Sequence, residues 1–411
     1  MPEQSSEGKR SILMLGGSRQ QVVAIETAKR LGYRTVVCDY LPDNPGQYHA
    51  DRFYLESTTD REAMLRIARE ENVGGVLAYA SDPAAPTAAY VAEALSLPTN
   101  PLAAVQTLSV KHLFRRHLAQ NAFPCPKSIP VPSDVDPERL LGLSSDLEFP
   151  VVVKPTDSSG SKGISILDAP DSERFRAAVE HAREFSRNGT LLMEEYITST
   201  FPRVIGGDVF VVDGTVRFWG LMSCLRDQSL GGLVPVGERY PSGLSGAQMR
   251  AVREQIQRLV DSLGIRFGEF NVEMIVGRGG VPYFLELGAR AGGNMIPVQL
   301  SDISGIDLVE ANVRCAMGDY SMDVSFDSAD AAVATYVPHA SVDGVFQGLD
   351  IDPELQPHLY RTVMYVDEGA RVERFDGANK ALGILFLRFD SVAQLEDAMG
   401  RIGGLVRPRI A

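Results

Sequence analysis

The sequence predicts an α/β protein that opens on a covered parallel sheet and continues into α+β lobes. Three observations predict it. Short apolar runs alternate with helix-period segments over the first hundred residues. The same rhythm restarts at residue 149 and again near Leu191. The 411 residues exceed what one ordinary core holds, which implies two or three domains.

In order along the chain, residues 11–17 (SILMLGG) give a buried strand closed by glycines, and 20–31 give a helix. Residues 34–40 (RTVVCDY) form a second strand, 60–71 a helix, and 74–80 (GGVLAYA) a third strand. Strand–helix–strand alternation of this kind marks a parallel sheet covered on both faces. Gly16 and Gly17 let the chain turn tightly into the first helix. The dinucleotide fingerprint GxGxxG is absent, because Gln20 and Gln21 stand where its last glycine belongs, so a nicotinamide oxidoreductase is not indicated. Residues 97–101 (LPTNP) break the pattern, and 109–119 return to a helix. Pro124, Pro126, Pro130 and Pro132 then predict an extended connection. A second α/β region opens at 149–155 (FPVVVKP), and a third runs from near Leu191 to about Met317. Strands at 331–337 and 381–389 and a helix at 391–402 follow.

Composition narrows the function. A formal charge of −13 argues against a nucleic-acid surface, which needs clustered Lys and Arg. It leaves room for a phosphorylated ligand, since a few cations, backbone N–H groups and Mg²⁺ hold phosphates locally. Four cysteines, far apart and without a CxxC pair, fit reduced thiols rather than a disulfide framework or zinc site. Residues 1–10 lack the apolar core of a signal peptide, and no run reaches the roughly 18 apolar residues of a membrane span. A cytoplasmic protein that engages neither nucleic acid nor membrane is expected.

Three segments carry chemistry. In 149–166 (FPVVVKPTDSSGSKGISI), Lys154 interrupts a buried strand and so needs a partner. The loop after it, with Ser159, Gly160, Ser161, Lys162 and Gly163, lets backbone N–H groups approach an anion. It is not a Walker A loop, and an ordinary Gly/Ser hairpin is the alternative. In 191–197 (LLMEEYI) a strand ends in Glu194 and Glu195, followed by Tyr196 and Ile197. Backbone groups and a carboxylate there suit an adenine nucleotide, though two surface glutamates would look the same. The third segment is 268–297, in which two strands flank the turn GRGG. Period-2 alternation sets Glu269, Asn271 and Glu273 on one face and Phe270, Val272 and Met274 on the other. Antiparallel pairing brings Glu273 beside Glu286, and two apposed carboxylates require a shared proton or a bound cation. Oxygen ligation suits Mg²⁺ or Mn²⁺, with phosphates and waters completing the octahedron. Arg290 follows and can fork onto a carboxylate or phosphate.

These segments, in this order, resemble the ATP-grasp superfamily along nearly the whole chain. Within it the sequence is most similar to carboxylate–amine ligases of the L-amino-acid (dipeptide) ligase type, through LELGARAGGNMIP and the helix GIDLVEANVRCA. Residues 41–60 also resemble carbamoyl-phosphate-synthase-like members. The resemblance implies an ATP-grasp fold divided into a Rossmann-like preATP-grasp domain (1–110), a small lobe with lid (111–190), a large lobe (191–320) and its C-terminal α/β portion (321–411). It further implies that Lys111 and Lys154 contact phosphates, that 159–163 with Lys162 form the flexible loop, and that Glu194–Ile197 grip adenine. Glu273 and Glu286 would hold metal, and Arg290 would stabilise an acyl phosphate or substrate carboxylate. Where many members read Glu-x-Asn, this chain reads Glu286-Leu287-Gly288, as amino-acid ligases with a small residue there do.

The implied reaction spends ATP to activate a small-molecule carboxylate as an acyl phosphate, which an amine attacks, releasing ADP and phosphate. A different carboxylate, such as a sugar acid or biosynthetic intermediate, and non-catalytic nucleotide binding are the alternatives. Residues 128–189 are the candidate lid. Cys224, Arg226 and 238–240 are placed by chain position alone at the acceptor pocket. Many relatives are dimers, so a homodimer is compatible with the resemblance.

Overall fold

The computed structural model describes residues 10–158, 160, 162–227 and 234–411. The chain begins with the parallel sheet: β1 (Ser11–Leu15), β2 (Arg34–Asp39), β3 (Arg52–Leu55) and β4 (Val73–Leu77), ordered β3-β2-β1-β4. Every residue of β1 is buried, as a strand covered on both faces requires. Helices α1 (Arg19–Arg30), α2 (Arg61–Glu70) and α3 (Ala85–Ala94) supply the cover. Gln21 is put to a different use from the missing glycine. Its Oε1 accepts from the Ser18 N–H at 2.8 Å, capping α1, while its Nε2 donates to the Tyr79 carbonyl at 2.8 Å.

The helix expected over 109–119 is α5 (Lys111–Gln120), and a further helix, α4 (Leu102–Ser109), precedes it, the two separated at Val110, whose extended backbone cannot continue a helix. The proline-rich stretch is not merely a connection. Residues Ser128–Pro132 form β5, an edge strand, where a missing N–H costs no ladder bond. The smaller sheet is β5-β8-β6-β7, from β6 (Val151–Pro155), β7 (Ser165–Leu167) and β8 (Thr190–Glu195), covered by α6 (Pro137–Leu143) and α7 (Ser172–Glu184). Strand β8 completes this sheet rather than opening the larger one, so the 128–189 unit runs on through Glu195.

The larger sheet is antiparallel throughout, in the order β13-β12-β9-β10-β11-β14-β18-β16. Its strands are β9 (Val204–Val212), β10 (Thr215–Arg226), β11 (Pro235–Tyr240), β12 (Phe267–Val276), β13 (Pro282–Gly288), β14 (Ala332–Tyr336), β16 (Leu359–Met364) and β18 (Gly383–Phe389). A separate sheet joins β15 (Gly344–Ile351), β17 (Arg371–Val372) and β19 (Val406–Ile410). Residues 238–240 sit on β11.

Side-chain alternation gives the larger sheet two faces. Val209, Val211, Phe270, Val272 and Met274 pack under α5 and α8 (Gly246–Leu263). Phe210, Phe218 and Met222 face α9 (Ile296–Ser304) and α10 (Leu308–Ala316). Helices α11 (Val392–Gly400) and α12 (Ile402–Leu405) close the C-terminal core. Among the described residues no helix is long and apolar enough to cross a membrane.

Candidate functional site

The two sheets face each other across a cleft of about 400 Å³. One wall comes from the smaller sheet: Val152 and Lys154 on β6, Ile166 on β7, and Glu194 to Ile197 at the end of β8. The opposite floor comes from Cys224 and Arg226 on β10, Glu273 and Ile275 on β12, and Leu285 and Glu286 on β13. Lys111, the first residue of α5, stands between them.

Lys154 has the partner its burial demands. Its ammonium donates to Glu194, and the Arg115 guanidinium forks onto the same carboxylate, at 2.8 Å and 3.3 Å. Arg115 also donates to the Leu285 carbonyl at 3.2 Å, tying the smaller sheet to β13 through α5. All three side chains are at least nine-tenths buried. Burial alone would raise Glu194, but Arg115 and then Lys154 overcome it and hold the carboxyl down at about 2. Burial pushes the Lys154 ammonium down to about 8, although Glu194 favours its charge. Both groups are thus ionised at neutral pH, with the lysine bearing the desolvation.

The two metal-ligand candidates stand directly opposite in the β12–β13 register, Glu273 against Glu286. Arg226 donates to Glu273 at 3.2 Å and Lys111 lies 3.4 Å from Glu286. Burial raises the Glu286 carboxyl, Lys111 pulls it back, and Asp82 and Glu273 push it up again. Among the described residues no three His, Cys, Asp or Glu side chains gather to hold an ion by themselves. The pair nevertheless fits a hard divalent cation, because Mg²⁺ keeps several waters and takes one or two carboxylates together with phosphate oxygens. Half-buried, adjacent carboxylates with oxygen donors only are what such an ion neutralises.

Arg290 forks onto Asp82, from the loop after β4, at 2.7 Å and 2.6 Å. Burial opposes ionisation of Asp82, but Arg290 outweighs it and holds the carboxyl below its ordinary range. The same pair accounts for Gly288. A Cβ there would stand 3.1 Å from Asp82 and 3.3 Å from Arg290, so a side chain at 288 crowds the ion pair, which must yield by a few tenths of an ångström.

Several expected residues are engaged by contacts within the protein. Glu194 is consumed by Arg115 and Lys154, and Glu195 accepts the backbone N–H groups of Lys127 and Glu148 at 3.2 Å and 3.1 Å. With both carboxylates taken, the backbone of 194–197 and the Tyr196 and Ile197 side chains face the cleft. Gly160 lines the cleft, Ser159 and Ser161 lie outside the described residues, and Gly163 packs on Pro155. The Lys162 side chain runs toward Gly377 and not to the cleft wall. Of 238–240, only Arg239 lines the cleft, beside Arg203, and both pair with Glu396 of α11.

Arg115, Asp82 and Asp208 were not singled out from sequence. Arg115 had a usable signal, four residues after Lys111 on the same helix face. Asp208 had one too, since it interrupts the apolar run VIGGDVFVV as Lys154 interrupts its own strand, whereas Asp82, an acidic residue in a loop, had none.

Residues 111–323, just over half of the chain, match the family model described as carbamoyl-phosphate synthase L chain, ATP binding domain. The formate-dependent phosphoribosylglycinamide formyltransferase of Sulfolobus acidocaldarius is 25% identical over 338 residues, covering 79% of this chain and 81% of that protein. The L-amino acid ligase from Bacillus licheniformis superposes with a TM-score of 0.79 at 19% identity, over 98% of this chain and 99% of that one. The biotin carboxylase domain of Hydrogenobacter thermophilus 2-oxoglutarate carboxylase, solved with MgADP, ADP and bicarbonate, superposes at 0.74 with 17% identity, covering 98% and 91% of the two chains. At such identities the two structural likenesses speak for a shared fold.

Proposed function

This chain belongs to the carbamoyl-phosphate synthase L chain ATP-binding-domain family, among the ATP-grasp carboxylate–amine ligases, and on that premise we propose that it joins the carboxylate of an amino acid to an amine. It is an ATP-dependent, ADP-forming enzyme that makes carbon–nitrogen bonds and uses Mg²⁺ or Mn²⁺. The observation that carries the site assignment is the convergence on one cleft of the Lys154–Glu194–Arg115 cluster and the Glu273/Glu286 pair.

In this reading Lys111 and Lys154 meet the phosphates, residues 159–163 with Lys162 close over them, and the backbone of Glu195 and Ile197 takes the adenine. Glu273 and Glu286 hold the metal, which when bound neutralises charge developing on the phosphate oxygens. A substrate carboxylate attacks the terminal phosphate, giving an acyl phosphate and ADP. An amine then attacks the acyl carbon, and phosphate leaves. No side-chain nucleophile is needed, so Lys154, Lys111 and Arg290 act by position and charge. Arg290 exchanges part of its fork on Asp82 for the substrate carboxylate or the acyl phosphate. Closure of the unit carrying β5–β8 keeps water from the acyl phosphate. The corresponding division is a preATP-grasp domain to residue 110, a small lobe through Glu195, and a large lobe beyond it.

An amino acid is favoured by Gly288 and Arg290, in the arrangement that resembles amino-acid ligases. A second reading, a small non-amino-acid carboxylate, is favoured by the formate-dependent relative aligned over 79% of the chain. Phosphate release measured across a matrix of amino acids, formate, sugar acids and amines separates them. Turnover confined to amino-acid carboxylates supports the first reading, and turnover with formate and no amino acid overturns it.

A further inference from the structure

Behind Arg290, away from the nucleotide cleft, two carboxyl groups lie against each other with almost no solvent. Asp208 on β9 is fully buried and Glu269 on β12 is 3% exposed. Asp208 accepts the Asn271 side-chain amide through Oδ1 and the Gly292 N–H through Oδ2, each at 2.8 Å. Glu269 accepts the Asn312 amide of α10 on Oε2, whereas its buried Oε1 finds no donor among the described residues if both groups are ionised. One proton resolves that deficit, because a protonated Glu269 donates to Asp208.

We propose that Asp208 and Glu269 hold a single proton between them and together position the loop that carries Arg290. The loop geometry points the same way. A Cβ at Gly292 would stand 2.7 Å from Asp208 Oδ1, so a glycine is what lets this carboxylate reach the backbone N–H. Two residues on, Asn294 and Met295 hold left-handed backbone at φ 50° and 56°, a conformation non-glycine residues keep only when their surroundings impose it. Asp208 imposes it from one side, and Gln20, accepting the Asn294 N–H at 3.0 Å, from the other. Burial raises both carboxyls, and Asp208 pushes Glu269 further, well above its ordinary value, while the hydrogen bonds that Asp208 accepts pull its own carboxyl back. The charged and titratable groups facing them are Arg290, Tyr79, Cys315 and Glu238, and Arg290 is the one cation among these. One proton leaves the pair at −1 beside the Arg290–Asp82 ion pair. Two ionised carboxylates would oppose each other and lose the bond between them.

Asp208 and Glu269 are positioning residues, and the part of this inference that concerns substrate rests on the ligase reading. Three measurements keep the two separable. Infrared difference spectra of the full chain should show a protonated-carboxyl C=O band at pH 7 that vanishes in Glu269→Gln. No such band overturns the shared proton whatever the enzyme does. Hydrogen exchange over residues 289–295 should stay slow in Glu269→Gln, which mimics the protonated acid, and accelerate in Asp208→Ala. Equal exchange in all three proteins overturns the tether. With the carboxylate substrate that supports phosphate release, Asp208→Ala should lose about 100-fold in kcat/KM through displacement of Arg290, with the KM for ATP unchanged. A loss carried by the KM for ATP would instead place the pair at the nucleotide and contradict the inference.

Discussion

Replacing Glu194 by Gln removes the one carboxylate that stands between two buried cations. Lys154 and Arg115 would then face each other across a neutral amide, with Lys154 only 9% exposed and Arg115 1%. Breaking a buried ion pair by deleting one partner costs about 3–5 kcal/mol, because the remaining charge is uncompensated. The native carboxyl leads to a similar figure. Held at about 2 instead of 4.5, it stabilises the fold by about 3 kcal/mol at ~1.4 kcal/mol per pH unit. Because its folded value is depressed, that contribution is complete above pH 4.5 and is lost as pH falls from 4.5 to about 2. Urea denaturation followed by far-UV circular dichroism should show Glu194→Gln less stable by about 3–5 kcal/mol at pH 7, with the difference shrinking through that acid window. The double variant Glu194→Gln/Lys154→Met should recover about 1–3 kcal/mol, since it removes one of the two unpaired cations. Equal stability of Glu194→Gln and the parent at pH 7, or a double variant weaker than the single, would refute the account of this cluster.

Other outcomes follow from the same geometry. Glu286→Ala should abolish turnover while circular dichroism stays unchanged; undiminished turnover would remove Glu286 from the metal site. Lys154→Ala should weaken ATP binding about 10- to 100-fold by calorimetry, equivalent to about 1.4–2.8 kcal/mol, and unaltered affinity would take Lys154 away from the phosphates. Arg290→Lys keeps the charge but loses the fork, so the KM for the carboxylate should rise with ATP affinity intact. Equal kinetics of the two proteins would sever Arg290 from the substrate.

The hairpin of β12 and β13 was legible because period-2 alternation determines which side chains share a face, and the short turn determines the register. The N-terminal parallel sheet was legible for a similar reason, as its strands are continuous apolar runs. What stayed hidden depended on distant partners. Only its spacing from Lys111 sets buried Arg115 apart from its neighbour Arg116, and the carboxylate that it meets, Glu194, is 79 residues away. Strand β5 was masked by prolines that only an edge position tolerates, and that position depends on pairing with β8. The Glu195 carboxylate is held by backbone N–H groups at Lys127 and Glu148, partners that no side-chain pattern reports.

The central claim is that this cleft couples ATP to carbon–nitrogen bond formation through an acyl phosphate. Phosphorus NMR of a reaction holding ATP, Mg²⁺, a carboxylate and an amine tests it most directly. ADP and inorganic phosphate should appear in equal amounts, only when both organic substrates are present. AMP and pyrophosphate in their place would contradict it.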